Sequence, residues 1–157
     1  MNTKPTMKEV AAAAGVSVMT VSRAFRSDAS ISDDTRERIR TVADELGYVF
    51  DTVASNLRSQ RSGFVAVTIP SINNANFAET VGALTSRLDA AGLQVLMGRT
   101  NYDMAEEERL IGQLLRRQPE ALVVTGGHHT ERARRMMQNA AIPVIETWDL
   151  PKAPLGH

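Results

Sequence analysis

At 157 residues, with 43% hydrophobic and 23% charged side chains, the chain has the composition of a folded globular protein, not of a disordered or fibrous one. The lack of cysteine excludes disulfides, thiolate nucleophiles and thiolate metal ligands, and no apolar run has the length of a membrane span or, in the polar start Met1 to Lys8, of a secretory signal. Formal net charge is zero, with nine basic and eight acidic residues up to Ser62 and nine and ten beyond it. A nucleic-acid function must therefore rest on where charges sit, not on their total.

In chain order, Thr6-Met7-Lys8-Glu9 has the form of a capping box, so a helix is predicted from Met7 through the alanines to Ala14, with Gly15 ending it. Ser17 can cap a second helix. Its Val21, Ala24 and Phe25 share one face, while Val18, Met19, Ser22, Arg23 and Arg26 share the other. Between Val16 and Ser27 the only charged residues are Arg23 and Arg26, a small basic patch. Ser32 caps a third helix in which Ile39, Val42, Ala43 and Leu46 form the apolar stripe and Gly47 is the stop. Helical periodicity with tight turns extends to about Leu57, and a plain linker is one reading of the residues after Asp51 because isolated short helices are marginal in water.

The pattern changes near Ser59 to Gly63, which divides the chain into residues 1–62 and 63–157. Phe64 to Ile69, Leu93 to Met97, Ala121 to Thr125 and Pro143 to Thr147 read as short buried strands. Helical patterns over Phe77 to Ala91, Met104 to Arg117 and Glu131 to Ala140 separate them. This alternation predicts right-handed crossovers and a parallel sheet covered on both faces. The fold class is thus a two-part α+β chain: a three-helix module, then an α/β parallel-sheet lobe.

The first two helices and their tight turn have the parts of a helix-turn-helix, whose second helix enters the major groove. Val18 and Met19 are apolar where a helix without a partner usually carries polar residues. They can meet thymine methyl groups, Arg23 can reach guanine or a phosphate, and Ser17, Thr20 and Ser22 suit phosphate oxygens. A helical hairpin of an unrelated bundle, with Val18 and Met19 as core, fits the bare pattern equally well.

The stretch TMKEVAAAAGVSVMTVSR from Thr6, with ISDDTRERI from Ile31 and ELGY from Glu45, resembles the LacI family of repressors. The resemblance implies base reading by Val18, Met19, Ser22 and Arg23, and phosphate contacts near Thr6, Ser17, Thr20, Ser32 and Thr35; Arg26, on the basic face, is a further DNA-binding candidate. TVASNLRS from Thr52 looks like the family's hinge helix, about residues 52–59, with Leu57 as a minor-groove wedge and Ala54 beside it. Phe50-Asp51 stands where the family commonly has a pair such as Pro-Asn. Asp51 remains a good N-cap but places a negative charge near phosphates.

In parallel open sheets ligands sit beyond the carboxyl ends of the strands. VTIPSINNANFAE, EEERL from Glu106 and AIPVIET resemble the gluconate-responsive branch of the family, whose effector domain is like periplasmic binding proteins. The candidate effector contacts are Asn76, Phe77, Arg99, Thr125 and Asp149, an inventory suited to a sugar or sugar acid; for Phe77 a core position at a helix start is an equal reading. His128-His129 lacks the further ligands of a metal site, and Glu106 to Glu108 reads as a solvated first helical turn.

No paired-carboxylate, Ser-His-Asp or phosphate-loop arrangement supports an enzyme, and no cofactor is implied. The expectation is a cytoplasmic repressor, a homodimer on double-stranded operator DNA, answering to a gluconate-like effector in full-length form. Because the family's effector domain continues into a second lobe, the 157-residue chain is expected to bind effector poorly by itself. Two other readings start from the second half. A periplasmic sugar-binding lobe is opposed by the N-terminal helices, and a flavodoxin-like enzyme by Pro70-Ser71-Ile72-Asn73, which is not a glycine loop.

Overall fold

The computed structural model describes residues 4–26, 31–50, 61–149 and 154–155. The hinge reading, including Ala54 and Leu57, lies outside the described residues. The chain divides into two compact units, Met1–Ser55 and Asn56–His157, each with its own core.

The first unit holds α1 (Met7–Ala14), α2 (Val18–Ala24) and α3 (Asp33–Leu46). Local chemistry fixes their ends. The Thr6 backbone N–H donates to Glu9 Oε2 at 2.6 Å and the Glu9 N–H donates back to Thr6 Oγ1 at 3.4 Å, which closes the capping box. Ser17 and Ser32 accept the backbone N–H groups of Thr20 and Thr35. Gly15 and Gly47 close α1 and α3 in the left-handed region, both at φ 65°. Val10, Ala11 and Ala14 of α1, Val21 and Ala24 of α2, and Ile39 and Ala43 of α3 make one core, with Phe25 and Tyr48 against it.

A Cβ built at Gly15 meets nothing within 4 Å, so substitution there is opposed by backbone conformation alone. Gly15→Ala is expected to cost about 1 kcal/mol and to lower the melting temperature of this unit by roughly 4–8 °C in a thermal circular-dichroism scan.

The second unit runs β1 (Phe64–Ile69), α4 (Ala75–Asp89), β2 (Gln94–Arg99), α5 (Met104–Leu115), β3 (Leu122–Thr125), α6 (Glu131–Gln138) and β4 (Val144–Thr147). The four strands are parallel in the order β2-β1-β3-β4. Strand side chains alternate between faces, so Val65, Val67, Ile69 and Val123 pack with Phe77 of α4 on one face. Ala66, Leu122, Val124 and Val144 pack with Ile111, Leu114, Ala133 and Met137 of α5 and α6 on the other. Strand order reverses between β1 and β3, where parallel sheets open a crevice at their carboxyl ends.

Element ends shift by one or two residues from the sequence reading. β2 starts at Gln94 and continues to Arg99, past the apolar run, because Gly98 and Arg99 pair with Thr68 and Ile69 of β1. α4 begins at Ala75 because Asn74 caps it through the Asn76 N–H, and α2 ends at Ala24 with Phe25 as its cap. Among the described residues no helix is long and apolar enough to cross a membrane.

Candidate functional site

On the first unit the exposed surface of α2 carries the candidate DNA-reading residues. Val18 and Met19 are 41% and 61% exposed, the reverse of what a bundle core requires. Arg23 is exposed on the last turn of α2, and it forms no ion pair among the described residues. Ser22 is half-buried on the same helix. Arg26 follows the end of α2 and is half-buried with its Nε enclosed, so it does not continue the helical face that the sequence suggests.

The hydroxyls proposed for phosphate contact sit at helix starts. Ser17 Oγ lies 2.8 Å from Thr20 Oγ1, and Ser32 Oγ donates to Thr35 Oγ1 at 2.9 Å. Thr6 begins α1 with Glu9, whose carboxyl is held below its ordinary range first by the Thr6 hydroxyl and then by the Thr6 backbone N–H. Arg36 is a residue that the sequence reading did not single out. Its guanidinium donates to the carbonyls of Ala24 and Arg26 at 3.0 and 2.7 Å, tying the end of α2 to α3. Phe25 supports that corner, stacked on Phe50 with ring centroids 4.9 Å apart and edge-on to Tyr48 at 6.1 Å. Only the folded chain brings these partners together, so local pattern could not reveal them.

On the second unit the candidate effector residues all lie at the carboxyl ends of the strands, but they are not equivalent. Asn76 is exposed on the first turn of α4, while Phe77 is 8% exposed and belongs to the core beneath it. Thr125 ends β3 with its hydroxyl engaged, donating to the Thr68 carbonyl at 2.9 Å. Arg99 ends β2 and Asp149 follows β4, at opposite edges of the sheet and roughly 14 Å apart at the usual strand spacing. One carboxylate ligand therefore cannot be gripped by Arg99 next to Asp149.

The arrangement adds Trp148, whose indole meets Phe77 edge-on at 5.0 Å and remains 51% exposed. Its φ of 73° is costly for a side chain of this size, of order 1–2 kcal/mol, and its contact with Phe77 places the ring at the strand ends. The two histidines take separate acidic partners, His128 with Asp149 at 3.4 Å and His129 with Glu107 at 2.7 Å. Of the acidic run that the sequence suggests is a solvated first turn, Glu106 pairs with Arg109 at 2.6 Å, and the hydrogen bond from that guanidinium keeps its carboxyl low. Glu107, however, is buried against His129 and Glu108 accepts from Thr130, because the loop before α6 packs over this turn.

Three short helices around one core, with an exposed and apolar-tipped second helix, have the form of a helix-turn-helix module, and an α/β unit of parallel-sheet type follows it in the chain. Residues 6–51 match the model of bacterial regulatory proteins, lacI family, and this segment is a LacI-family helix-turn-helix domain.

The whole chain is similar to the HTH-type transcriptional regulator GntR of Pseudomonas aeruginosa, 44% identical over 147 residues that make up 94% of this chain and 43% of the relative. It is 33% identical to GntR of Escherichia coli K12 over 93% of this chain and 44% of that protein. A crystal structure of a LacI-family transcriptional regulator from Silicibacter pomeroyi matches with a TM-score of 0.88 at 39% identity, covering 97% of this chain and 46% of the other. The chain thus spans less than half the length of these relatives.

Proposed function

We propose that the chain is a sequence-specific DNA-binding transcriptional regulator, a repressor of sugar or sugar-acid genes, and not an enzyme. The observation that carries the reading is α2, a helix in a LacI-type module that leaves Val18, Met19 and Arg23 exposed. Apolar tips beside a guanidinium match the methyl and acceptor pattern of the major groove. Ser17, Thr20, Ser22, Thr6, Ser32 and Thr35, with Arg26, are assigned to the flanking backbone.

The module is proposed to act as a homodimer on a palindromic duplex, inside the cytoplasm. Its boundary is placed near residue 62 after a hinge helix at about 52–59, in which Leu57 is the wedge with Ala54 beside it. The support is the sequence of that segment, which lies outside the described residues. In this proposal the α/β unit is one lobe of an effector domain that takes a gluconate-like sugar acid. Of the candidate contacts at the strand ends, Asn76 and Arg99 are assigned to that ligand with Trp148, Phe77 supports Trp148 from the core, Thr125 is engaged with Thr68, and Asp149 lies at the edge opposite Arg99. The similarity to GntR regulators supports this choice of effector class.

Selection of bound sequences from random duplexes tests the reading. Enrichment of a two-fold symmetric site is expected, whereas recovery of unselected sequence at every round would reject it.

A further inference from the structure

The short helix α2 is held to the core of its unit along one side. Val21 and Ala24 are both 0% exposed, and Phe25, which follows the helix, packs against the same core. These residues stand at i, i+3 and i+4, a single stripe of a seven-residue helix. Met19 and Arg23 lie on the opposite side and are exposed. A helix held along one stripe by apolar packing can still roll about its axis, because burial of apolar surface is non-directional. Side chains reach about 6 Å from that axis, so a roll of about 10° carries their tips through about 1 Å. Recognition by a fixed set of side chains tolerates about 0.5 Å.

Arg36 supplies a directional contact that opposes such a roll. It stands on α3 one turn before Ile39, which is 0% exposed in the same core. Its Nη1 donates to the Ala24 carbonyl at 3.0 Å and to the Arg26 carbonyl at 2.7 Å. One nitrogen therefore grips the last residue of α2 and the chain two residues beyond it. The Ala24 carbonyl is among the acceptors that a helix leaves unpaired at its carboxyl end, where a cation also suits the dipole. Hydrogen bonds weaken steeply when they bend, so rolling α2 costs both contacts.

We propose that Arg36 is a positioning residue for Arg23: by gripping the end of α2 it fixes the roll of the helix, and with it the direction in which the Arg23 guanidinium meets a base. Arg23 immediately precedes the gripped Ala24 in the last turn. Arg36 touches no base in this assignment, and its effect on sequence preference passes through Arg23. The proposal rests on the reading of α2 as the DNA-reading helix given above.

A double-mutant cycle on the complete chain tests it. Arg36→Met keeps an unbranched stem and removes both hydrogen bonds, and Arg23→Ala removes the side chain being positioned. Affinities of the four proteins for a selected and a scrambled duplex are measured at a temperature where circular dichroism shows each to be folded. Arg36→Met alone is expected to reduce the preference for the selected duplex about 10-fold, within the range of one lost base contact, and to leave the scrambled duplex unaffected. In the Arg23→Ala background the same substitution is expected to cost no more than about twofold.

A purely structural Arg36 would lower the melting temperature and leave the preference of the folded protein intact, and that result would overturn the proposal. Full additivity in the cycle would do the same. So would an equal loss on both duplexes with a smaller salt slope, which places Arg36 on a phosphate. If Arg36→Met does not fold, Arg36→Lys takes its place in the cycle; its ammonium stops one bond short of the two carbonyls, and an unchanged preference would again overturn the proposal. A chain that selects no duplex at all rejects the reading of α2 together with the proposal, whereas a selected duplex preferred equally by Arg36→Met rejects the proposal alone.

Discussion

Ile39→Ala is expected to unfold the N-terminal unit at or near room temperature. Ile39 is 0% exposed and sits where α1, α2 and α3 meet, against Val10, Ala14, Val21 and Ala24. Removing three carbons from such a site costs about 2–5 kcal/mol, because lost burial is compounded by a cavity that the surrounding helices only partly fill. A module of this size has little more than about 3–5 kcal/mol in total. Urea unfolding followed by circular dichroism should show the transition of this unit moving to near zero denaturant while the α/β unit keeps its own. Binding to every duplex, specific or not, should fall together. An unchanged midpoint would mean that the core is not where the three helices place it.

The second large effect is at the surface. Arg23→Ala removes an exposed guanidinium that forms no ion pair among the described residues, so folding should change little. A bidentate contact to guanine is worth about 1–3 kcal/mol of discrimination, which is roughly a 5- to 150-fold loss of affinity for the selected site. Affinity for scrambled duplex should remain nearly the same. Loss on both duplexes together, with a salt slope smaller by about one, would instead assign Arg23 to a phosphate.

These two substitutions separate the parts of the protein that sequence displays from those it hides. Helix limits in the first unit are written locally: the Thr6–Glu9 box, the Ser17 and Ser32 caps, and the glycines at positions 15 and 47 each act within four residues of themselves. The stripe of Ile39, Ala43, Val21 and Val10 is likewise visible as periodicity, and so are four strands alternating with helices.

Contacts set by the folded chain were not legible. The extension of β2 to Arg99 depends on pairing with β1, the Arg36 bridge to Ala24 and Arg26 spans a turn between helices, and the Phe77–Trp148 contact joins residues 71 positions apart. The same holds for His128-His129. Side by side in sequence they suggest a shared task, but the backbone turns one outward to Asp149 and the other inward to Glu107 and Glu146. Candidate effector residues were found by position at strand ends. Which of them keep free polar groups, as Asn76 does and Thr125 does not, depends on neighbours that the sequence alone does not name.

In the proposed function the exposed face of α2 reads DNA sequence. This is tested most directly by titrating the protein against its selected duplex and a scrambled duplex of equal length and composition, at several salt concentrations. The selected duplex is expected to bind tighter by a factor of about 10³ or more at physiological salt, and the preference is expected to persist as salt is raised. Equal affinity for the two duplexes, falling together with salt, would contradict it.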